Sequence, residues 1–475
     1  MSNEHRKEEL NRKALELYTQ DRFLDAAECL DTLLSEFPEE HGARTFKAWC
    51  LMDARDYGAA YQTFMENKDL DSNNPRLWHG LSLTLKAMGF GVGALPAIEK
   101  AIALTPDVAE FHNERATVLF LMGRMDESLE SLDEAIALQP YQQDAWTLKG
   151  RVLQIMGMAD EALESFIHAK VLNPEDPLIR MSISSILSDK GRDDEALSMI
   201  DEAIDIAVNP RGFIFHKAGL LKDMNRHEEA LSTYHEGFDL EIEIDTPLKQ
   251  AMEAAAYQNI GSIFSGMGIC LNHLGLHEVS LIYYDKVLEM NPYDTNTWFW
   301  KGYALQMLDR YEESILAYDK VNELDPDPDA YSIKGNMLME MGRCEEAILA
   351  FDLSLDMEDD RYDDMERMGE CLEALGRHKE AEASYRKTLE INRDSAYTWV
   401  RLARTQSAQG MEEDAASSYQ EALAACDRLE EEYDVNPHTW KARSQAYMGL
   451  GMTDEADRWD EKAEALFATY EEDVE

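Results

Sequence analysis

Apolar and polar residues recur in a fixed order along the chain. Residues 122–140 read MGRMDESLESLDEAIALQP, and residues 156–174 read MGMADEALESFIHAKVLNP. Each opens on Met-Gly, passes an acidic pair and one small residue, runs through an apolar helical stretch and stops at proline. The starts differ by 156 − 122 = 34 residues. With Ala162 as the marker for the small residue, steps of 34 reach Ala26, Ala60, Ala94, Ser128, Ala162, Ala196 and Ala230 without a slip. The ruler then jumps to Ser280, resumes at Ser314, shortens by one to Ala347, and continues through Ala381 and Ala415, with a last marker at Ala456. Thirteen periods therefore run from about residue 7 to the C-terminal end.

Each period predicts a helical hairpin. Glycines five residues before the marker, such as Gly123, Gly157 and Gly342, end the first helix in a left-handed conformation. Acidic pairs such as Asp126-Glu127 and Glu345-Glu346 open the second, where the helix dipole favours negative charge by about 0.3–1 kcal/mol each. Proline closes it, because it lacks the amide hydrogen that the helix needs. Small residues recur at the marker, and glycines recur twelve residues earlier at Gly150, Gly268, Gly302, Gly335 and Gly369. They let the two helices approach, and a larger side chain there brings strain of about 1–3 kcal/mol. No hairpin of this kind buries its apolar face alone, so neighbours must stack.

The unit resembles the tetratricopeptide repeat, a 34-residue helix–turn–helix. Its early aromatic stands at Trp78, Trp146, Trp298, Trp399 and Trp440, four residues into each repeat. The aromatic after the marker is seen at Phe64, Phe166, Tyr234, Tyr284, Tyr318, Phe351, Tyr385 and Tyr419, and the closing proline at Pro38, Pro106, Pro140, Pro174, Pro292 and Pro326. Three departures stand out. The family's leucine before the eighth residue is basic at Lys149, Lys217, Lys301, Lys334 and Arg443. Asp359 and Arg393 replace proline. The first two repeats lack the early tryptophan at its usual place. The resemblance implies an all-α, right-handed superhelical solenoid of about thirteen repeats. Residues 7–244 form an N-terminal array of about seven repeats and 261–475 a C-terminal array of about six, ending in the acidic ATYEEDVE.

Two slips of the ruler add chain. Residues 245–260 read as an extended first helix for the eighth repeat, running from about residue 247 to 273, with Thr246-Pro247 as its start. Two roles stay open for it, a neutral insertion on the outside of the array or a joint between two superhelices. The segment CDRLEEEYDVNP, residues 426–437, adds about two helical turns to the twelfth repeat.

Charge narrows the partners. Ninety-five acidic against 45 basic residues give a formal net charge of −50. That excess excludes non-specific nucleic-acid binding and anionic membrane surfaces, which need Lys and Arg. It favours basic partners. It also implies self-repulsion, about −4 per hairpin, which a salty cytoplasm would screen. The polar N-terminus, the lack of a long apolar run and six scattered cysteines without a CxxC point to a cytoplasmic protein with its cysteines in the core.

No constellation of residues calls for catalysis, a cofactor or a metal. There is no GxxxxGK[ST] and no HExxH, and Gly275 at a helix end separates His273 from His277. Function must therefore reside in a surface. In the family that this chain resembles, first helices line a concave groove. Carrying those positions over gives Arg76, His79, Lys86, Asn113, Phe120, Arg151 and Gln154 in repeats three to five. Repeats eight and nine give Ser265, Asn272, His273, Asn296, Phe299, Tyr303 and Gln306. Repeats ten and eleven give Asp329, Asn336, Glu340, Asp363, Glu366, Glu370 and Glu373. The middle of this groove is polar and aromatic and its far part acidic, which suits a peptide or protein segment with a basic portion. The expectation is a non-enzymatic scaffold for protein–protein interaction. A co-chaperone or assembly adaptor for a basic client is the alternative, followed by a regulatory subunit of an enzyme complex.

Overall fold

The structure is a computed structural model that describes residues 3–239, 246–432 and 436–472. Expectations for residue 245, for the side chains of 246–259 and for the acidic terminus 468–475 lie outside the described backbone or side chains. The chain divides into two compact units, Met1–Ile242 and Glu243–Glu475.

The first unit holds α1 (Asn3–Tyr18), α2 (Phe23–Glu36), α3 (His41–Asp53), α4 (Tyr57–Asn67), α5 (Pro75–Ala87), α6 (Gly91–Leu104), α7 (Ala109–Leu121), α8 (Met125–Leu138), α9 (Gln143–Ile155), α10 (Ala159–Leu172), α11 (Pro177–Asp189), α12 (Asp193–Ile206), α13 (Arg211–Asp223) and α14 (His227–Asp239). The second holds α15 (Thr246–His273), α16 (His277–Met290), α17 (Thr295–Met307), α18 (Tyr311–Leu324), α19 (Pro328–Glu340), α20 (Cys344–Met357), α21 (Tyr362–Ala374), α22 (His378–Ile391), α23 (Ala396–Ala408), α24 (Glu412–Glu432), α25 (Pro437–Gly449) and α26 (Thr453–Glu472). Among the described residues the architecture is all-α, one hairpin per period. Two helices are long. α15 has 28 residues, and α24 has 21 where α22 has 14, so residues 426–432 add two turns; residues 433–435 of that expected extension lie outside the described residues.

Within each unit every helix packs on its sequence neighbours. Beyond that, odd-numbered helices also touch one another, as in α3–α5, α5–α7 and α7–α9 of the first unit and α15–α17, α19–α21 and α23–α25 of the second. Among the described residues no two even-numbered helices pack together to a comparable extent. The odd helices are thus an inner layer and the even ones an outer layer, and the core is a chain of local clusters between hairpins.

The markers sit where the two helices of a hairpin cross. Twelve of the thirteen have no exposed surface, and Ala415 has 1%. Where the marker is serine, its hydroxyl is bonded across the crossing. Ser128 donates to the Ala116 carbonyl at 2.8 Å and Ser314 to that of Gly302 at 2.7 Å. The eighth-position glycines lie directly beneath the aromatic of their own hairpin. A Cβ on Gly268 would meet the Tyr284 ring at 2.5 Å, and one on Gly335 the Phe351 ring at 2.6 Å. These rings are wholly buried, so the small residue and the large one are complementary halves of one contact.

The turn between the helices needs a left-handed residue. Nine repeats place glycine there, with φ between +67° and +82°. The other four use Asp21, Arg55, Asn225 and Asp309, with φ between 57° and 62°. Asn and Asp tolerate that region, whereas an arginine is strained in it.

Two polar links join successive hairpins. The early tryptophan donates its indole N–H to a carbonyl six residues back, at the end of the preceding hairpin. Trp146 reaches Pro140 at 2.9 Å, Trp298 reaches Pro292 at 2.9 Å and Trp399 reaches Arg393 at 2.8 Å. The last case shows that the turn survives without its proline. The basic residue that departs from the family's leucine has a role as well. Lys149 pairs with Asp133 at 2.6 Å, Lys217 with Asp201 at 2.7 Å, Lys301 with Asp285 at 2.7 Å and Arg443 with Asp427 at 2.7 Å. Each link spans two hairpins. Partly exposed pairs of this kind contribute about 0.2–1 kcal/mol each.

Candidate peptide-binding face

The inner layer of the second unit is built on α15, α17, α19, α21, α23 and α25. α17 starts where the Asp294 carboxylate accepts the Thr297 amide at 2.9 Å. Thr297, Gly302, Ala304 and Leu305 face the core. That orientation leaves Phe299, Trp300 and Tyr303 half-buried on the inner side. Together with the preceding hairpin they make an aromatic cluster. The Trp300 ring centroid lies 5.8 Å from His273, 5.8 Å from Tyr303 and 6.2 Å from Phe299. Phe299 stands edge-on to the buried Tyr318 at 5.4 Å, which fixes its orientation.

A cleft of about 360 Å³ opens beside this cluster. Its walls are Thr295, Asn296, Phe299 and Trp300 of α17, Val321 near the end of α18, and Asp325, Asp327 and Asp329 at the entry to α19. Ligand sites begin at roughly this volume. The three carboxylates differ in how committed they are. Asp327 caps α19, accepting the amides of Asp329 at 2.8 Å and Ala330 at 3.2 Å. Asp329 accepts from Arg361 at 2.8 Å. Asp325 is exposed, and among the described residues no donor reaches its side chain.

Some residues assigned to the groove face elsewhere. Ser265 and Asn272 are buried. The Asn272 amide donates to the Tyr284 hydroxyl at 2.9 Å and to the Trp300 carbonyl at 3.3 Å, and its oxygen accepts from Ser280 at 2.7 Å. Its place in the repeat aims it at the hydroxyl of the aromatic after the marker, so it ties the hairpin and does not line a groove. Glu373 makes the same contact, accepting from Tyr385 at 3.2 Å. Asn296 and His273 are exposed. Gln306 and Asn336 are half-buried, and the Asn336 side-chain oxygen is enclosed without a donor.

Much of the acidic stretch is partnered within the structure, while Glu340 and Asp363 are exposed and make no ion pair among the described residues. Arg401 of α23 reaches over α21 and sits 3.4 Å from Glu370 and 3.3 Å from Glu373. Tyr397 donates to Glu370 at 3.1 Å, and Thr398 donates to Glu366. Burial raises the Glu366 carboxyl above its ordinary value, against the Thr398 hydrogen bond. Burial works against the Arg401 charge, but its contacts with Tyr397 and Glu370 hold its pKa above the ordinary value.

Part of the first unit's face is likewise committed. His79 is buried between Trp49 and Phe111, at 5.6 and 4.9 Å. Lys86 pairs with Glu114 at 2.5 Å, and Arg151 covers the Phe120 ring at 5.2 Å. His273 and His277 do not converge. His277 bonds Asn272 at 3.2 Å while His273 packs on Trp300. Among the described residues no three or more His, Cys, Asp or Glu gather as metal ligands, and no helix is long and apolar enough to cross a membrane. The sequence reading passed over Trp300, Asp325 and Asp327. The WFW run at 298–300 is the signal that marks the first of them.

Helical hairpins stacked in two layers, with side chains presented from the inner one, define a repeat scaffold for protein–protein interaction. The chain is a tetratricopeptide-repeat protein. That family's signature matches residues 11–75, 84–143 and 334–396, and a second signature of the same repeat matches 283–315. Solved structures similar to it include MamA, at 24% identity over 33% of this chain and 91% of that one, with a TM-score of 0.32. YrrB, described as a tetratricopeptide-repeat protein with an unusual peptide-binding site, is similar at 23% identity over 38% and 93%, with a TM-score of 0.34. The Cut9-Hcn1 hetero-tetramer of the APC/C aligns over 97% of this chain and 93% of that one, at 13% identity and a TM-score of 0.40. No curated protein matches the chain.

Proposed function

We propose that the protein is a non-enzymatic, cytoplasmic scaffold that holds a peptide or protein segment on the inner face of its second unit, in the cleft between α17 and α19. The observation that carries this reading is the cleft itself, where half-buried Phe299 and Trp300 stand beside the unpartnered Asp325. Aromatic rings give a segment apolar and cation–π contact, and a nearby carboxylate favours a Lys or Arg side chain. The basic portion of the partner is therefore assigned to Asp325 and not to Glu366, Glu370 and Glu373, because Glu370 and Glu373 already share Arg401 and Glu366 already accepts from Thr398.

Affinity purification from the native cell at physiological salt, followed by mass spectrometry, tests this. Asn296→Arg and Asp325→Lys change exposed side chains and spare the core. A specific partner that is retained by the wild type and lost from both variants supports the reading. A partner set unaltered by either variant removes the cleft from it.

A further inference from the structure

The outer layer carries a second surface. Two residues after the marker, each even-numbered helix presents a side chain to solvent. In ten of the thirteen repeats this residue is polar, charged or small, as at Glu28, Gln62, Glu130 and Glu164. In three successive repeats of the second unit it is a large aliphatic: Ile282 on α16, Leu316 on α18 and Leu349 on α20. They are 55%, 65% and 64% exposed. Leu353, one turn beyond Leu349, is exposed as well. Exposed aliphatics scattered singly need no explanation, but a run at one structural position, confined to three neighbours, does.

The charge around this ladder says what can cover it. α16, α18 and α20 together contain eleven carboxylates against two lysines. Five of the carboxylates pair with Lys or Arg. The other six, Glu278, Glu289, Glu312, Glu345, Asp352 and Asp356, make no ion pair among the described residues. Each lies four residues before a ladder residue, or three or seven after it, and so on the same helical face. Burial and the neighbouring Asp356 raise the Asp352 carboxyl above its ordinary value, a repulsion that an arriving cation relieves. A second copy of this chain would bring the same negative surface and be repelled.

We infer that the ladder Ile282, Leu316, Leu349 and its flanking carboxylates form a docking surface for an amphipathic helix of a partner protein, with an apolar stripe bordered by Lys and Arg. The apolar anchors enter the spaces between the outer helices, and the flanking cations meet the unpaired carboxylates. This surface lies on the opposite layer from the cleft and does not depend on it.

The probe is a fluorescent synthetic helix of leucine and lysine with leucine at i, i+3, i+4 and i+7, read by anisotropy at physiological salt. Two controls are the same composition in scrambled order and the same pattern with glutamate for lysine. The patterned Leu/Lys helix should bind the wild type and bind Ile282→Ser/Leu316→Ser/Leu349→Ser at least about tenfold more weakly. Glu312→Gln/Glu345→Gln should also weaken it, while Asn296→Arg should leave it unchanged. The substituted positions are exposed, and an unchanged circular dichroism spectrum checks the fold. Equal binding to the wild type and the triple variant overturns the inference. So does equally tight binding of the scrambled or the glutamate peptide. Sedimentation showing a wild-type dimer that the triple variant loses would assign the surface to a second copy instead.

Discussion

Gly335→Ala places one methyl group where the structure has no room for it. The added Cβ would stand 2.6 Å from Phe351 Cε1 and 2.9 Å from Cδ1. Carbon atoms settle at about 3.5–4.0 Å, so the ring must retreat by roughly 1 Å. Phe351 is wholly buried and packs with Ile348, Met337 and the next hairpin, so its retreat displaces other core groups. Overpacking of this kind costs about 1–3 kcal/mol. Against it stands the gain in helix propensity from glycine to alanine, about 0.8–1 kcal/mol. The net expectation is a loss of up to about 2 kcal/mol. Gly219→Ala is the matched control. It also lies inside a helix, but nothing stands within 4 Å of its added Cβ, so the propensity gain should appear alone and with opposite sign. Urea unfolding followed by circular dichroism measures both. Adding Phe351→Leu to Gly335→Ala should restore part of the loss. If Gly335→Ala stabilises as much as Gly219→Ala does, the close approach of the helices is not what the glycine serves.

Four further outcomes follow from the structure. Arg55→Gly should stabilise by about 1 kcal/mol in urea melts, because Arg55 is exposed and occupies the left-handed turn position at φ 62°. A double-mutant cycle of Lys301→Met and Asp285→Asn should give a coupling of about 0.2–1 kcal/mol that shrinks with salt, while the stacking of Lys301 on Trp298 at 5.1 Å drops out of the coupling term. Burial lowers His79 to about 4, with Lys86 adding to the shift. Its stabilising effect is therefore present above its unfolded value near 6.5 and lost as pH falls toward 4, on the order of 3 kcal/mol. His79→Phe should flatten that limb of the pH–stability profile. Thermal melts from low to high salt should show a rising midpoint, since a net charge of −50 opposes close stacking; a flat response contradicts the repulsion account.

The fold was legible because stacking repeats the same physical problem every 34 residues. A marker must be small where two helices cross, and all thirteen markers are buried. A turn must go left-handed, and the nine glycines reveal nine of the thirteen. Asp21, Arg55, Asn225 and Asp309 meet the same need without a glycine's signature. The basic departures from the family pattern pair with carboxylates fifteen or sixteen residues back, on the preceding hairpin, which no rule of the repeat announces. The site was less legible, because position in a repeat fixes the helix but not the rotamer or the neighbour. Asn272 occupies a groove position and turns inward to Tyr284. Glu370 and Glu373 occupy groove positions and are met by an arginine about thirty residues away, which no local pattern announces. Asp325 and Asp327 join the cleft only because α19 begins where it does, a matter of three-dimensional placement.

The most direct test of the account places a photo-crosslinking benzoylphenylalanine at Asn296, on the rim of the inner cleft, and at Glu164, exposed on the outer layer of the first unit. After irradiation of the native cells, the account predicts a discrete covalent adduct with another polypeptide from position 296 and none from 164. An adduct of equal yield from both positions, or no adduct from 296, would contradict it.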